Sequence, residues 1–239
     1  MRILVISQYF WPENFRINDL VTEFTARGHD VTVLTGYPNY PSGAVLPEFK
    51  AAPKTFAQFG EVRVVRVPLL PRGQGGLRLI LNYASFAVSA TLLGAWRLRK
   101  ERFDVIFVFE PSPITVGLPA AFLRFLKQAP VAFWVLDLWP ETLQAVGVVR
   151  SKVILNTVGK LVSFIYNRCD LILAQSRSFI PQIFKYCRID GNVQYFPSWS
   201  ESVFDFEKVE AAPEVPGGSG HFDIMFAGNI GEAQDFPAI

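Results

Sequence analysis

The sequence predicts an α/β fold, a Rossmann-like doubly wound parallel sheet. Short runs of Val, Ile, Leu and Phe recur along the chain with little alternation of apolar and polar positions, as strands do when both faces of their sheet are covered. Amphipathic stretches of helical length separate these runs, and strand, helix, strand in repetition means right-handed crossovers onto a parallel sheet. The same unit stands at both ends of the chain. Residues 2–7 (RILVIS) lead through QYFWPENF into a helical stretch, and residues 222–227 (FDIMFA) lead through GNIGE towards Ile239. A second α/β domain is therefore expected to begin there, truncated, so that a ligand held between two such domains would find half its site in this polypeptide.

In chain order, strands are expected at 2–7, 30–35, 62–67, 104–109, 131–135, 170–174 and 193–196. Helices are expected at 17–27, 76–100, 114–127, 151–168 and 178–187. The first of these sets Ile17, Leu20, Val21 and Phe24 at helical spacing, and Gly28 supplies its stop. After Phe196 the pattern decays through PSWSESVFDFEKVEAAPEVPGGSG, whose Pro, Gly, Ser and Glu content builds no core. The expected organisation is a domain over 1–200, a linker over 201–221 and the start of a second domain over 222–239.

Half of the 239 residues are hydrophobic, enough to bury a large core, and disorder as a general state is excluded. With 23 basic and 21 acidic residues the net charge is +2, too small to point to nucleic acid. Cys169 and Cys187 show neither Cys-x-x-Cys nor Cys/His spacing, so no disulfide framework or structural zinc site is written here and a reducing cytoplasm fits. The apolar run behind Met1 and Arg2 is too short for a signal peptide.

Residues 77–96 have the length of a membrane span, but Arg78 and Asn82 break the run, and the uninterrupted part, 83–96, falls short of the about 20 residues a crossing needs. A buried core helix is expected instead. From 62 to 102 there are nevertheless eight basic residues, Arg97, Arg99 and Lys100 among them, and one acid, Glu101. That imbalance suits an anionic membrane surface as well as it suits a plain solvated face.

Ligands of open parallel sheets bind beyond the carboxyl ends of the strands, which directs attention to the loops there. After the first strand, Asn14 could cap the helix, free N–H groups could face an anion, and Arg16 could offer a fork-shaped cation to phosphate. The loop holds no glycine, which disfavours a nicotinamide dinucleotide, and no Walker-type turn occurs. After the second strand, Tyr37, Asn39 and Tyr40 sit in a stiff loop whose rings and amide suit a sugar ring or an isoprenoid chain.

The fifth expected strand delivers Asp137, Trp139 and Glu141: a carboxylate to orient an acceptor hydroxyl or act as base, beside an indole wall. The plainer alternative is that Asp137 caps a turn and Glu141 begins a helix. Glu110 and Ser112 form a similar set after the fourth strand. No Asp-x-Asp pair exists, and the two histidines, His29 and His221, lie at a helix-to-strand turn and beside the linker, so no metal site is evident.

The segments ISQYFWPENFRINDLVTEFTARGHDVTVLTGYPNYPSG, FEPSPITVGLPA, VLDLWPE, CDLILAQS and MFAGNIGEAQDFPAI together resemble bacterial GT-B glycosyltransferases of the large retaining family 4, in the branch that builds surface polysaccharides such as O-antigen, including fucosamine-transferase-like proteins. The resemblance implies a two-domain enzyme whose first domain, the amino-terminal half of a GT-B fold, mainly holds the acceptor. The second mainly holds a nucleotide-sugar donor, a substrate rather than a cofactor. It implies that Pro12, Asn14, Phe15 and Arg16 face the donor phosphates from one side and Gly228, Asn229 and Gly231 from the other. The position before Asp137, a histidine in many members, is Leu136 here. The implied reaction moves a sugar with retention to a lipid-linked or polysaccharide acceptor in the cytoplasm, with peripheral attachment at the inner face of the plasma membrane as a further expectation, and the isolated chain is expected to be inactive for want of its donor half. A second reading is a non-catalytic acceptor-binding subunit that recruits a separate donor-binding protein to the membrane.

Overall fold

A computed structural model describes residues 1–73, 75–145, 147, 149–187 and 192–199, with Phe226 and Phe236. The expected linker and nearly all of the expected second domain lie outside the described residues. Eight strands form one sheet: β1 (Arg2–Ile6), β2 (Asp30–Gly36), β3 (Gln58–Phe59), β4 (Val62–Val67), β5 (Val105–Glu110), β6 (Val131–Val135), β7 (Leu171–Ala174) and β8 (Val193–Tyr195). Their order is β3-β4-β2-β1-β5-β6-β7-β8. Every pairing is parallel except β3 with β4. The antiparallel edge strand β3 has two residues, too short for any periodicity to announce it.

β1 lies between β2 and β5, pairing Ile3 with Val31 on one side and with Val105 on the other. From β1 the chain winds outward to β2 and β4, then returns to start again at β5 in the opposite direction. The β1/β5 boundary is thus the switch point at which loops diverge and leave a crevice beyond the strand ends.

Alternate strand residues feed two cores, as a sheet covered on both faces requires. Leu4, Ile6, Val108, Phe133 and Val135 face one helical layer, which consists of α3 (Gly76–Ser89), a π turn (Ala90–Gly94), α4 (Ala95–Arg97), α5 (Gly117–Lys127), α7 (Lys152–Tyr166) and α8 (Phe179–Phe184). The short helices α2 (Pro47–Ala51) and α6 (Glu141–Ala145) lie in loops. Ile3, Val5, Val33, Phe109 and Trp134 face α1 (Ile17–Ala26), which packs through Ile17, Leu20 and Val21. The chain beyond β8 also covers this face. Trp134 is fully buried, stacked on Trp199 at 5.7 Å and edge-on to Phe196 at 5.1 Å.

The helix ends follow local chemistry. Gly28 takes a φ of 77° just after α1, the left-handed stop that glycine accepts without a Cβ clash. Two expectations need correction. Asn14 does not cap α1: the helix begins after Arg16 with no side-chain cap, and Asn14 is exposed. The expected buried helix over 77–96 is not buried, because only one side of it meets the sheet. Phe86, Ala87, Ala90 and Ala95 pack inward, whereas Leu77, Val88, Leu92 and Trp96 are exposed.

Candidate functional site

The loop after β1 is held from below by a buried acid and a buried base. Glu13 accepts the backbone N–H groups of Asn39 at 2.8 Å and Tyr40 at 2.7 Å through Oε1, and that of Phe10 at 3.3 Å through Oε2. Burial raises its pKa, while those N–H groups and Arg66 pull it down. Arg66, projecting from β4, donates to the carbonyls of Gly36 at 3.1 Å and Phe56 at 3.0 Å and to that of Trp11. Burial lowers its pKa to about 10 against the opposing pull of Glu13. Asn18 closes the loop, its Oδ1 accepting the Trp11 N–H at 3.0 Å and its Nδ2 donating to the Glu13 carbonyl at 2.8 Å.

Above this base runs a chain of amides. Gln8 Nε2 donates to Asn82 Oδ1 at 2.7 Å, and Asn82 Nδ2 donates to the Leu70 carbonyl at 2.6 Å and to Asn39 Oδ1 at 3.3 Å. Asn39 Oδ1 also accepts the Arg72 N–H at 3.1 Å. All three amide side chains are buried, and together they lock the loops after β1, β2 and β4 to α3. On this platform Tyr9 stacks on Phe15 at 5.1 Å, and Tyr40 leans against both, at 5.7 Å from Tyr9 and 5.2 Å from Phe15. The Arg72 guanidinium lies over the Tyr40 ring at 5.7 Å. Among the described residues it has no carboxylate partner. Tyr37 departs from this group and packs on Phe49 at 4.9 Å.

The β5 and β6 ends supply the carboxyls. Glu110 is 0% exposed, and neither of its oxygens has a hydrogen-bond partner among the described residues. Burial, then the nearby Asp137, holds its pKa well above the ordinary value, while the N–H groups of Asp137 and Leu136 pull the other way. Ser112 has a φ of 141°, a backbone region that residues other than glycine avoid. Asp137 Oδ1 accepts the Thr142 hydroxyl at 2.5 Å. Burial raises its pKa, opposed by Thr142, Trp139 and the Leu138 N–H. Glu141 begins α6, with Oε1 accepting the Tyr186 hydroxyl at 3.1 Å. The turn-and-helix role offered above as the plainer alternative is thus present in the structure for both acids. Tyr83 of α3 joins the two halves: its hydroxyl lies against Ser112 and senses Arg72, Asp137 and Glu110, while burial raises its pKa.

The structure thus gathers Phe15, Asn39, Tyr40, Glu110, Ser112, Asp137 and Trp139 along one rim of strand ends. Pro12 stands half-buried in the β1 loop, and Arg16 turns to the far side, donating to the Trp199 carbonyl and lying over its ring. Gly228, Asn229, Gly231 and His221 lie outside the described residues. Among the described residues no group of three or more His, Cys, Asp or Glu could hold a metal ion. Sequence reasoning missed Gln8, Glu13, Arg72, Asn82 and Tyr83. Asn82, an amide inside an apolar helix, was a readable signal for a satisfied polar network. Arg72 was readable as a strand-end cation.

The family described as Glycosyl transferase 4-like domain matches residues 14–183. WcaI of Escherichia coli (strain K12), named for glycosyl transfer in colanic acid biosynthesis, is 28% identical over 252 residues, which take in 98% of this chain and 60% of that protein. The chain thus spans less than two thirds of that relative's length. Among solved structures, the calicheamicin glycosyltransferase CalG4 is similar at a TM-score of 0.49 with 15% identity, covering 82% of this chain and 52% of that one. A sucrose-phosphate synthase from Thermosynechococcus elongatus is similar at 0.48 with 16% identity, covering 82% and 47%. With well over half of its length matched, this chain belongs to the Glycosyl transferase 4-like domain family of glycosyltransferases.

Proposed function

We propose that this lobe holds the acceptor of a retaining glycosyltransferase that moves a sugar from a nucleotide donor to a lipid-linked or polysaccharide acceptor on the cytoplasmic side. The observation that carries the reading is the rim at the β1/β5 switch point, where the aromatic wall of Tyr9, Phe15 and Tyr40 and the cation of Arg72 stand with the carboxyls of Asp137 and Glu110. Ring faces suit a sugar or isoprenoid, a guanidinium with no carboxylate partner among the described residues suits a phosphate, and a carboxyl with a raised pKa suits proton exchange with a hydroxyl. The polysaccharide named in the WcaI relative supports an acceptor of that class.

In this reading Asp137 orients the acceptor hydroxyl, Trp139 walls the sugar, and Arg72 takes the phosphate role that Arg16 was expected to fill. Closure against a donor-binding lobe would exclude water and stabilise the leaving diphosphate. The test is transfer of a labelled sugar by the full-length gene product to a polyprenyl-pyrophosphate acceptor. Transfer that falls at least a hundredfold in Asp137→Asn supports the reading, whereas unchanged turnover in that variant removes Asp137 from it. Little or no transfer is expected from residues 1–239 alone, since the donor would be gripped mainly by the second lobe. Robust turnover by that chain would refute this division of labour.

A further inference from the structure

The helix over residues 76–97 carries apolar groups on its outward side as well as on the side that packs into the core. Its outward positions are Leu77, Leu81, Ala84, Val88, Leu92 and Trp96, with Leu77 72% and Leu92 and Trp96 each 62% exposed, whereas the amide of Asn82 points inward. Leu77 and Trp96 are nineteen positions apart, which in an unbroken α-helix would place them about 100° apart around the axis. The π turn at Ala90–Gly94 takes up about one extra residue and brings them back into line. The outcome is one continuous stripe. α5 packs beside the π turn. A contiguous apolar surface of this extent marks an interaction site.

By length and composition the segment could cross a bilayer, but its packing rules that out. Phe86, Ala90 and Ala95 are built into the core, and Gly94 lies so close to β2 that a Cβ there would come within 2.8 Å of Leu34. The helix therefore stays on the domain and offers one face. What surrounds that face is basic. Arg78 is exposed near its start, and Arg97, Arg99, Lys100 and Arg102 are exposed at its end, with Arg99 lying over the Trp96 ring at 4.5 Å. Beside Trp96 opens a cavity of about 460 Å³ whose charged lining is Lys54, Arg63, Arg66, Arg97 and Arg99. The nearby acid Glu101 is bound to Arg63, and Arg97 donates to the Arg66 carbonyl, so its charge is not cancelled.

We infer that this face docks on an anionic phospholipid bilayer, with the stripe sunk to the level of the headgroups, Trp96 at the boundary and lipid phosphates beside the arginines. Apolar contact area and complementary charge meet on one surface, which a soluble partner or a simple solvated face does not require. The inference stands apart from the transferase reading, because vesicle binding and sugar transfer are separate readouts. It also fixes an orientation. The helix runs from the carboxyl end of β4 back to the amino end of β5, so when it lies flat the strands lie along the membrane too. The crevice then opens sideways, near Leu77, at a height a lipid-anchored molecule can reach.

The experiment is co-sedimentation of the 239-residue chain with vesicles of phosphatidylcholine alone or with 30% phosphatidylglycerol. Binding to the anionic vesicles is expected to fall at least tenfold in the triple variant Leu81→Ser, Leu92→Ser, Trp96→Ser, and to lose its preference for phosphatidylglycerol in Arg99→Glu, Lys100→Glu. Because these positions are exposed, an unchanged circular dichroism spectrum is expected for both. Brominated lipid should quench the tryptophan fluorescence of the wild type, and Trp96→Phe should remove most of that quenching while binding persists. Failure of the wild type to sediment, equal sedimentation of the triple variant, or undiminished quenching in Trp96→Phe would overturn the proposal. So would a dimer that the triple variant splits while vesicle binding stays the same, since the face would then belong to a second copy.

Discussion

The carboxylate of Glu13 accepts the backbone N–H of Tyr40 at 2.7 Å, tying the loop after β1 to the loop after β2 beneath the aromatic wall. Removing it by Glu13→Ala leaves three backbone N–H groups, those of Phe10, Asn39 and Tyr40, without their acceptor and the buried Arg66 guanidinium without its counter-charge. The expected cost is about 3–5 kcal/mol. Glu13→Gln keeps an acceptor for the N–H groups and should cost about half as much. Urea unfolding of the three proteins measures both, and equal stability of the alanine variant and the wild type would show that the loops are held elsewhere.

Glu110 makes a prediction about pH. Its folded pKa lies well above the ordinary 4.5, so the folded chain binds this proton more tightly than the unfolded chain does. Its contribution is therefore complete below about pH 4.5 and is lost as the pH rises through the folded value. Glu110→Gln removes that dependence. Thermal unfolding from pH 4 to pH 8 should show the wild type losing stability relative to the variant as the pH increases. Glu13, also raised, is common to both proteins and cancels in the comparison. Parallel curves would mean that Glu110 is not the buried neutral acid described here.

At Ser112 a φ of 141° holds a serine where glycine is at home. Ser112→Gly should raise stability by about 1 kcal/mol, the relief of strain outweighing the added freedom of the unfolded chain. If the strain serves to aim the hydroxyl at Tyr83, the same variant should lose activity while gaining stability, and comparing its melting temperature with its turnover separates the two effects. A lower melting temperature would contradict the assignment of strain.

The sheet was legible because its strands are continuous apolar runs, and β1, β2, β4, β5 and β6 fall where those runs do. The site was legible only in part, since a linear pattern does not say which side of an element faces which neighbour. Arg66 reads as surface charge in VRVVRV, yet it is buried under the β1 loop. Asn82 reads as an interruption of an apolar helix, yet it is the junction of the amide network. Asn14 and Asn18 both stand near the start of α1, and only the fold chooses the second as the one that closes the loop. The outward stripe of residues 76–97 was hidden for the same reason. A helix apolar on both sides gives no periodic signal of which side is left uncovered.

Arg72 and Arg16 separate two ways of holding a phosphate. Arg16 is engaged with Trp199, which stacks on the buried Trp134, so Arg16→Ala should loosen the chain beyond β8 and lower stability by about 1 kcal/mol. Arg72 lies over the Tyr40 ring, is half-buried, is paired with no carboxylate among the described residues, and bonds through its backbone N–H to Asn39. Arg72→Ala should leave the melting temperature within a degree or two of the wild type while raising the KM for a pyrophosphate-bearing substrate of the full-length enzyme at least tenfold, about 1.4 kcal/mol of binding. Arg72→Lys should recover only part of that loss, because an ammonium keeps the charge without the fork or the stacking on Tyr40. A tenfold rise in KM from Arg16→Ala with no change from Arg72→Ala would reverse the assignment and return the phosphate to the loop after β1.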